Sequence, residues 1–321
     1  MNAPFPISVI VPAWNDFQDL EKCLMALSRQ TARDRMEVVV SLDGGDPLPA
    51  RLEPLTDKVV SGDHAGPAAA RNRGFRNSAG DYVLFTDSDC VPAADWAEEM
   101  TAVLESGADA VKGVYTGGGR KLIQRLAQIE FLERYSLLKR NPDVDMVDTY
   151  SAGYRREALE ASGGFDESFP FPDHEDVDLS YRMASMGFIM RFAPRAGVSH
   201  SHRDSWIAYF RMKYGRGRWR TKVLRRYPRK TGSDSYTPAC MMLQIALCAL
   251  LPAMILLLAV SPVPFASWSA LFLLSTIPLA AKTLRHDPVL LPLVPLFSFW
   301  RGCALSSGLL RGIFGPDKEA E

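Results

Sequence analysis

Short apolar runs punctuate the first half of the chain, and each closes on proline, glycine or a carboxylate. Ile7-Ser-Val-Ile-Val11 closes at Pro12, Glu37-Val-Val-Val-Ser-Leu42 at Asp43-Gly44-Gly45, and Tyr82-Val-Leu-Phe85 at Asp87 and Asp89. Such runs predict strands buried on both faces, the habit of parallel sheets. Lys58–Ser61, Ala110–Tyr115 and Phe188–Ala193 predict further extended segments. Between the first two strands Leu20, Cys23, Leu24 and Leu27 recur at helical spacing behind a cap at Asn15 or Asp16. Gly66–Asn77 predicts a helix with Pro67 in its first turn, and Asp176–Met186 another. The alternation predicts βαβ units with right-handed crossovers in an α/β sheet flanked by helices. Lys121–Leu138 carries Leu122, Leu126, Ile129 and Leu132 at helical spacing with charges between them. Packing on the sheet is the expectation for it, and a membrane-facing position the alternative.

The second half has a different pattern. No charged residue falls between Tyr236 and Ala281. Ala239–Val260 spans 22 residues, about 33 Å as a helix and enough to cross a bilayer. Ser261–Ala281 predicts a second span despite Pro262, Pro264 and Pro278. Pro288–Leu310 is apolar but broken by Arg301, and reads as a third span or an interfacial segment. Just before this region, Arg203–Lys230 carries eleven Lys and Arg against one acid, Asp204, with aromatic residues interleaved. That composition next to an uncharged run predicts a juxtamembrane belt facing anionic lipid, with the preceding domain in the cytosol and the protein in the inner membrane. The expected boundaries are 1–202 for the α/β domain, 203–235 for the basic segment, 236–310 for two or three membrane helices and 311–321 for a polar tail. The formal net charge is zero, which gives no sign of a nucleic-acid partner. The five cysteines are scattered without metal-ligand spacing and read as reduced thiols or small packing residues. Residues 1–6 lack the pattern of a signal peptide.

The chemistry gathers where strands end. Asp87 and Asp89 repel each other unless a cation lies beside them, and Mg²⁺ takes carboxylate oxygens together with phosphate oxygens. At the carboxyl end of a parallel strand the pair predicts a metal–diphosphate site, with an acidic turn capping the next helix as the other reading. Asp43 and Arg71 fall at the same sheet edge. Asp43 suits a nucleobase or its own turn amides, and Arg71 suits phosphate or a neighbouring acid. Glu175 and Asp176 open a helix whose dipole favours their ionised forms, either as an acidic cap cluster with Asp173 and Asp178 or as a proton acceptor. His200 and His202 share one side of an extended segment, and one of them suits a metal or phosphate, with His200 preferred. No Gly-rich dinucleotide fingerprint or P-loop occurs.

Val11-Pro-Ala-Trp-Asn15, Asp43-Gly44, Ala70-Arg71-Asn72, Asp87-Ser-Asp89 and Glu175-Asp176 occur in an order and spacing that resemble the family 2 glycosyltransferases of the GT-A fold. The resemblance runs from about Ile7 to about Ser201. It implies that Pro12, Ala13, Trp14 and Asn15 line a nucleotide pocket, that Asp43 contacts the base, and that Arg71 contacts the diphosphate. Asp87 and Ser88 would serve the donor, with Asp87, Asp89 and His200 around Mg²⁺ or Mn²⁺. Asp176 would be the general base, supported by Glu175. Trp14 is also readable as plain packing. The segment around Arg216, Arg218 and Trp219 is similar to one that approaches the diphosphate and acceptor in membrane-bound members. The implied activity is inverting transfer from a nucleotide-sugar, UDP-linked by default, to a hydroxyl of a glycan or polyprenyl-linked acceptor. Direct loading of polyprenyl phosphate and a non-catalytic nucleotide-sugar-binding subunit are the alternatives.

Overall fold

The computed structural model describes residues 5–169, 174–230 and 234–315. It divides into two compact units: the chain to Gly117 together with Leu138–Ser201, and Gly118–Leu137 together with the chain from His202.

In the first unit the strands are β1 (Ile7–Ala13), β2 (Met36–Asp43), β3 (Lys58–Gly62), β4 (Tyr82–Phe85), β5 (Val91–Pro92), β6 (Ala110–Gly117), β7 (Ala152–Arg155) and β8 (Met190–Ser199). They form one sheet in the order β3-β2-β1-β4-β7-β6-β8-β5. β1, β2, β3 and β4 pair in parallel, and β1, β2 and β4 carry the buried, mainly apolar runs of such a sheet, while β3 at its edge is largely exposed. β7 enters antiparallel between β4 and β6, and β5 lies antiparallel on β8. The sheet is therefore mixed and mainly parallel. Pro92 sits in β5 at the sheet edge, where a missing N–H costs no ladder bond. The segment expected to stop at Ala193 continues as β8 to Ser199. The helices are α1 (Phe17–Leu27), α2 (Pro67–Arg76), α3 (Trp96–Glu105), α4 (Leu122–Leu138), α5 (Arg156–Ala161) and α6 (Glu175–Ser185), then α7 (Trp206–Arg226), α8 (Ala239–Leu257), α9 (Val263–Ser275), α10 (Ile277–His286) and α11 (Val294–Phe314). α1 buries Leu20, Cys23, Leu24 and Leu27, the four residues at helical spacing.

The second unit holds α4 and α7–α11. Among the described residues, three stretches are long and apolar enough to cross a membrane: Ala239–Leu257, Val263–His286 and Pro288–Phe314. The second breaks at Thr276, with Pro278 in the first turn of the new helix, where proline is tolerated. α4 groups with the second unit. Its Ile123, Leu126, Ala127 and Ile129 join Tyr209, Leu279, Leu290, Val294 and Phe297 in a separate core, while Leu122 is exposed.

That unit also has a buried polar centre. Glu130 of α4 accepts hydrogen bonds from Tyr209 Oη at 2.5 Å and Lys213 Nζ at 2.7 Å, both on α7, and from Arg134 Nη2 at 2.5 Å. Arg301 of α11 lies 3.7 Å from Glu130 and donates to Gln244 of α8 at 2.7 Å. This explains the charge inside the third apolar stretch, because Arg301 is fully buried and faces acceptors. Burial alone would raise the Glu130 pKa, but Lys213, Arg134 and Arg301 hold it well below the usual carboxylate range.

α7 and α11 meet along glycines. A Cβ at Gly308 would collide with the Tyr214 carbonyl oxygen, and one at Gly217 with that of Leu305. Close backbone approach of this kind is the reason for small residues between membrane helices. Gly308→Leu is expected to wedge the two helices apart at a cost of about 2–3 kcal/mol. A lowered melting temperature in detergent, with α/β-domain ligand binding retained, is the result to look for.

Candidate active site

The sheet brings the predicted residues to the carboxyl ends of β1, β2 and β4. Pro12 and Ala13 are the last residues of β1, in register with Ser41 and Leu42 of β2. Trp14 follows, 56% exposed, and stacks on His64 with ring centroids 4.6 Å apart. Plain core packing therefore does not describe Trp14. Asn15 adopts a left-handed conformation (φ 54°), and its Oδ1 accepts the Asp46 amide at 3.0 Å. A side chain at Gly45, itself at φ 79°, would strike that oxygen.

Asp43, at the end of β2, is buried. Its carboxylate accepts the Ala65 and Gly66 amides, each at 3.0 Å, and contacts His64 Nδ1 at 2.9 Å. The carboxylate thus fixes the loop that delivers α2. Arg71 of α2 is also buried rather than open to solvent. It donates to Asp87 at 2.7 Å and to Glu175 at 2.7 Å, joining the end of β4 to the start of α6. Burial would lower the Arg71 pKa, but the two carboxylates raise it further above its ordinary value. Burial and the Asp89 charge raise the Asp87 carboxyl, against the pull of Arg71.

α6 starts abruptly. His174, at its N-terminal cap, has φ 72°, a conformation unusual for a residue with a side chain. Such strain recurs at functional sites. Glu175, Asp176 and Asp178 fill the first turn. Glu175 is 2% exposed, whereas Asp176 is partly open and accepts its neighbour Val177 N–H at 2.8 Å. Phe171 to Asp173, part of the acidic cluster read in the sequence, lie outside the described residues. Sequence reasoning gave no role to Tyr154, which β7 buries at this place. Burial first, then the charges of Asp176 and Glu175, push its hydroxyl pKa upward.

Asp89 groups with Cys90 and His200, with the Asp87 charge close by. The Cys90 amide closes the Asp87–Cys90 turn by donating to the Asp87 carbonyl at 3.0 Å, with Ser88 inside the turn. β5 then pairs Val91 with Ser199 of β8, which sets residues 90 and 200 across from each other. Ligand atoms of Asp89, Cys90 and His200 consequently lie within 4.8 Å of one another. His200 also stacks on Tyr115, which stacks on Tyr150. Burial would lower the His200 pKa, but the Asp89 hydrogen bond and charge raise it, and His200 in turn lowers Asp89. Cysteine spacing along the chain gave no sign of this group, because Cys90 meets a carboxylate and an imidazole and no second cysteine. The alternative histidine, His202, bonds Gln128 at 2.8 Å in the second unit. Arg216, Arg218 and Trp219 also belong to that unit, on α7, with Arg218 5.7 Å over the Trp219 ring.

Residues 8–163 match the profile of "Glycosyl transferase family 2". Over 207 residues the chain is 29% identical to glycosyltransferase AglE of Haloferax volcanii, covering 59% of this chain and 64% of that protein. It is 26% identical over 276 residues to the succinoglycan biosynthesis protein ExoA of Rhizobium meliloti, covering 82% of each. The solved mannosyltransferase PcManGT of Pyrobaculum calidifontis, in complex with GDP-Man and Mn²⁺, superposes with a TM-score of 0.63 at 21% identity, covering 99% of this chain and 90% of that one. The class is that of the GT-A fold: a mixed, mainly parallel sheet with acidic strand ends. Within it, residues 8–163 form a family 2 glycosyltransferase domain, followed by three apolar stretches able to span a membrane.

Proposed function

We propose that the protein is an inverting, metal-dependent glycosyltransferase. It would move a sugar from a nucleoside diphosphate to a hydroxyl of a glycan or polyprenyl-linked acceptor in cell-surface polysaccharide or glycolipid synthesis. One observation supports this reading above the others: Arg71 ties Asp87 at the end of β4 to Glu175 beside Asp176. The donor side and the proton-accepting side are thereby held in one frame. Pro12 to Asn15, with Trp14 open for stacking, would receive the nucleoside. Asp43 would shape its pocket through the 64–66 loop, with its carboxylate contacting the base. Asp87 and Ser88 would face the ribose and phosphates. Arg71 acts in this reading by positioning the two carboxylates, with the diphosphate on their side of the guanidinium.

The donor set of Asp89, Cys90 and His200 fits a divalent ion. When bound, Mg²⁺ or Mn²⁺ would supply charge against the departing diphosphate. The chain's own work is then at Asp176, whose carboxylate accepts the proton of the acceptor hydroxyl as that oxygen attacks the anomeric carbon from the face opposite the diphosphate. Glu175 keeps Asp176 in place through Arg71. The apolar stretches and the basic α7 support a multi-pass protein of the inner membrane with the domain in the cytosol, in contact with membrane lipid. Arg216, Arg218 and Trp219 would contact acceptor or diphosphate.

The test is a donor screen with detergent-purified protein and Mn²⁺, following nucleoside diphosphate release. UDP-sugars come first, and GDP-mannose, the donor held in PcManGT, is included. One donor is expected to turn over. EDTA or Asp89→Ala should lower that rate by roughly 10²-fold or more. A rate indifferent to both would end the metal-dependent reading.

A further inference from the structure

The Asp89–Cys90–His200 cluster carries a sulfur where a site for hard ions alone would use oxygen. Asp89 Oδ1 lies 3.4 Å from His200 Nδ1. Cys90 Sγ lies 3.7 Å from the same Asp89 oxygen. A tetrahedral ion with bonds of about 2.0–2.1 Å to N and O and about 2.3 Å to S holds its ligand atoms roughly 3.4–3.6 Å apart. An octahedral ion with bonds of about 2.1 Å would hold adjacent oxygens only about 3.0 Å apart. The two Asp89 spacings, 3.4 and 3.7 Å, lie nearer the tetrahedral case. The backbone enforces them, because the β5–β8 register sets Cys90 opposite His200 and the Asp87–Cys90 turn presents Asp89 beside both. Cys90 is fully buried, so only the charge of the ion itself would stabilise its thiolate.

We infer that Cys90 is a metal ligand, and that it makes this site select divalent ions of the zinc and cobalt class over Mg²⁺. Carboxylate and water suit Mg²⁺, whereas thiolate and imidazole suit Zn²⁺ and Co²⁺. On binding, a metal–sulfur bond forms and the thiol proton passes to solvent, driven by the charge of the ion. Three protein ligands leave a fourth position open, the arrangement of sites that admit substrate oxygen. The inference rests on the reading above that Asp89 and His200 hold the metal.

The full-length protein in detergent is titrated with Co²⁺ alone and followed by absorbance, and X-ray absorption is recorded on the protein loaded with one equivalent of Zn²⁺. The expected results are a thiolate-to-cobalt charge-transfer band and one sulfur at about 2.3 Å from zinc. Cys90→Ser and Cys90→Ala should remove the band and lower the ratio of Zn²⁺ to Mg²⁺ affinity by at least about tenfold. A zinc shell of nitrogen and oxygen only overturns the inference, and this measurement needs no variant. A band that survives in both folded Cys90 variants overturns it as well. Donor turnover with Mn²⁺ is measured on the same preparations. Turnover without sulfur at the metal defeats this inference and leaves the glycosyltransferase reading intact. Sulfur at the metal without turnover of any donor does the reverse.

Discussion

Asp176→Asn is expected to retain nucleotide binding and lose sugar transfer, with kcat down by about 10²–10⁴-fold, the range supplied by a positioned general base. Asparagine keeps the shape of the side chain and an oxygen for the Val177 amide, which Asp176 accepts at 2.8 Å. The helix start should therefore stay intact, and the melting temperature should stay close to that of the wild type. What is lost is a carboxylate in the first turn of α6, where the helix dipole favours negative charge. Glu175→Gln is the informative contrast. Glu175 is buried against Arg71 at 2.7 Å, so the change weakens a buried pair and leaves a guanidinium under-compensated. It should lower stability and donor binding together. Kd for the donor, single-turnover transfer and thermal melting separate the two cases. Wild-type transfer by Asp176→Asn would remove the base from this residue.

The strand ends that carry Asp43, Asp87 and Asp89 were legible because their signals are local. An apolar run ending in a carboxylate, as in Tyr82–Phe85 before Asp87, states both the strand and the exposed end where ligands collect. β5 and β7 were not legible. Each is very short, carries no periodicity of its own, and exists because a neighbouring strand supplies its hydrogen bonds. Missing β5 meant missing the register that pairs residue 90 with residue 200, and so the place of Cys90 beside Asp89. The sequence spacing of cysteines says nothing about a thiol whose companions arrive from another strand. Arg71 shows a related difficulty. Its type was read well, but whether a buried arginine meets phosphate or carboxylate depends on α6, about 100 residues away in the chain.

In α4 the pattern itself misled. Apolar residues at helical spacing with charges between them gave no role to the charged positions. Glu130 and Arg134 instead point into the second unit, because partners wait there on α7 and α11. A helical wheel has no means of distinguishing a solvated glutamate from one facing three cations. Arg301 could be read only as an interruption for the same reason.

Those three cations make Glu130 the residue of the second unit with the most to lose. Glu130→Ala should cost about 3–5 kcal/mol, the range for breaking a buried pair from one side. Lys213, Arg134 and Arg301 would then lose the carboxylate they share, with Glu133 the remaining acid nearby, and the Tyr209 hydroxyl would lose its acceptor. Glu130→Gln keeps an acceptor and should cost less. The pH dependence has a fixed sign. The folded pKa of Glu130 lies well below the ordinary glutamate value of 4.5. Its stabilising contribution is therefore complete above 4.5 and is lost as pH falls through the folded value. The acid side of the wild-type stability curve should flatten in Glu130→Gln. Adding Lys213→Met to Glu130→Gln removes one uncompensated ammonium and should restore part of the loss, whereas Lys213→Met alone should destabilise. Melting in detergent across this double-mutant cycle gives the coupling directly. Additive effects would mean that the two groups sit near each other without holding the helices together.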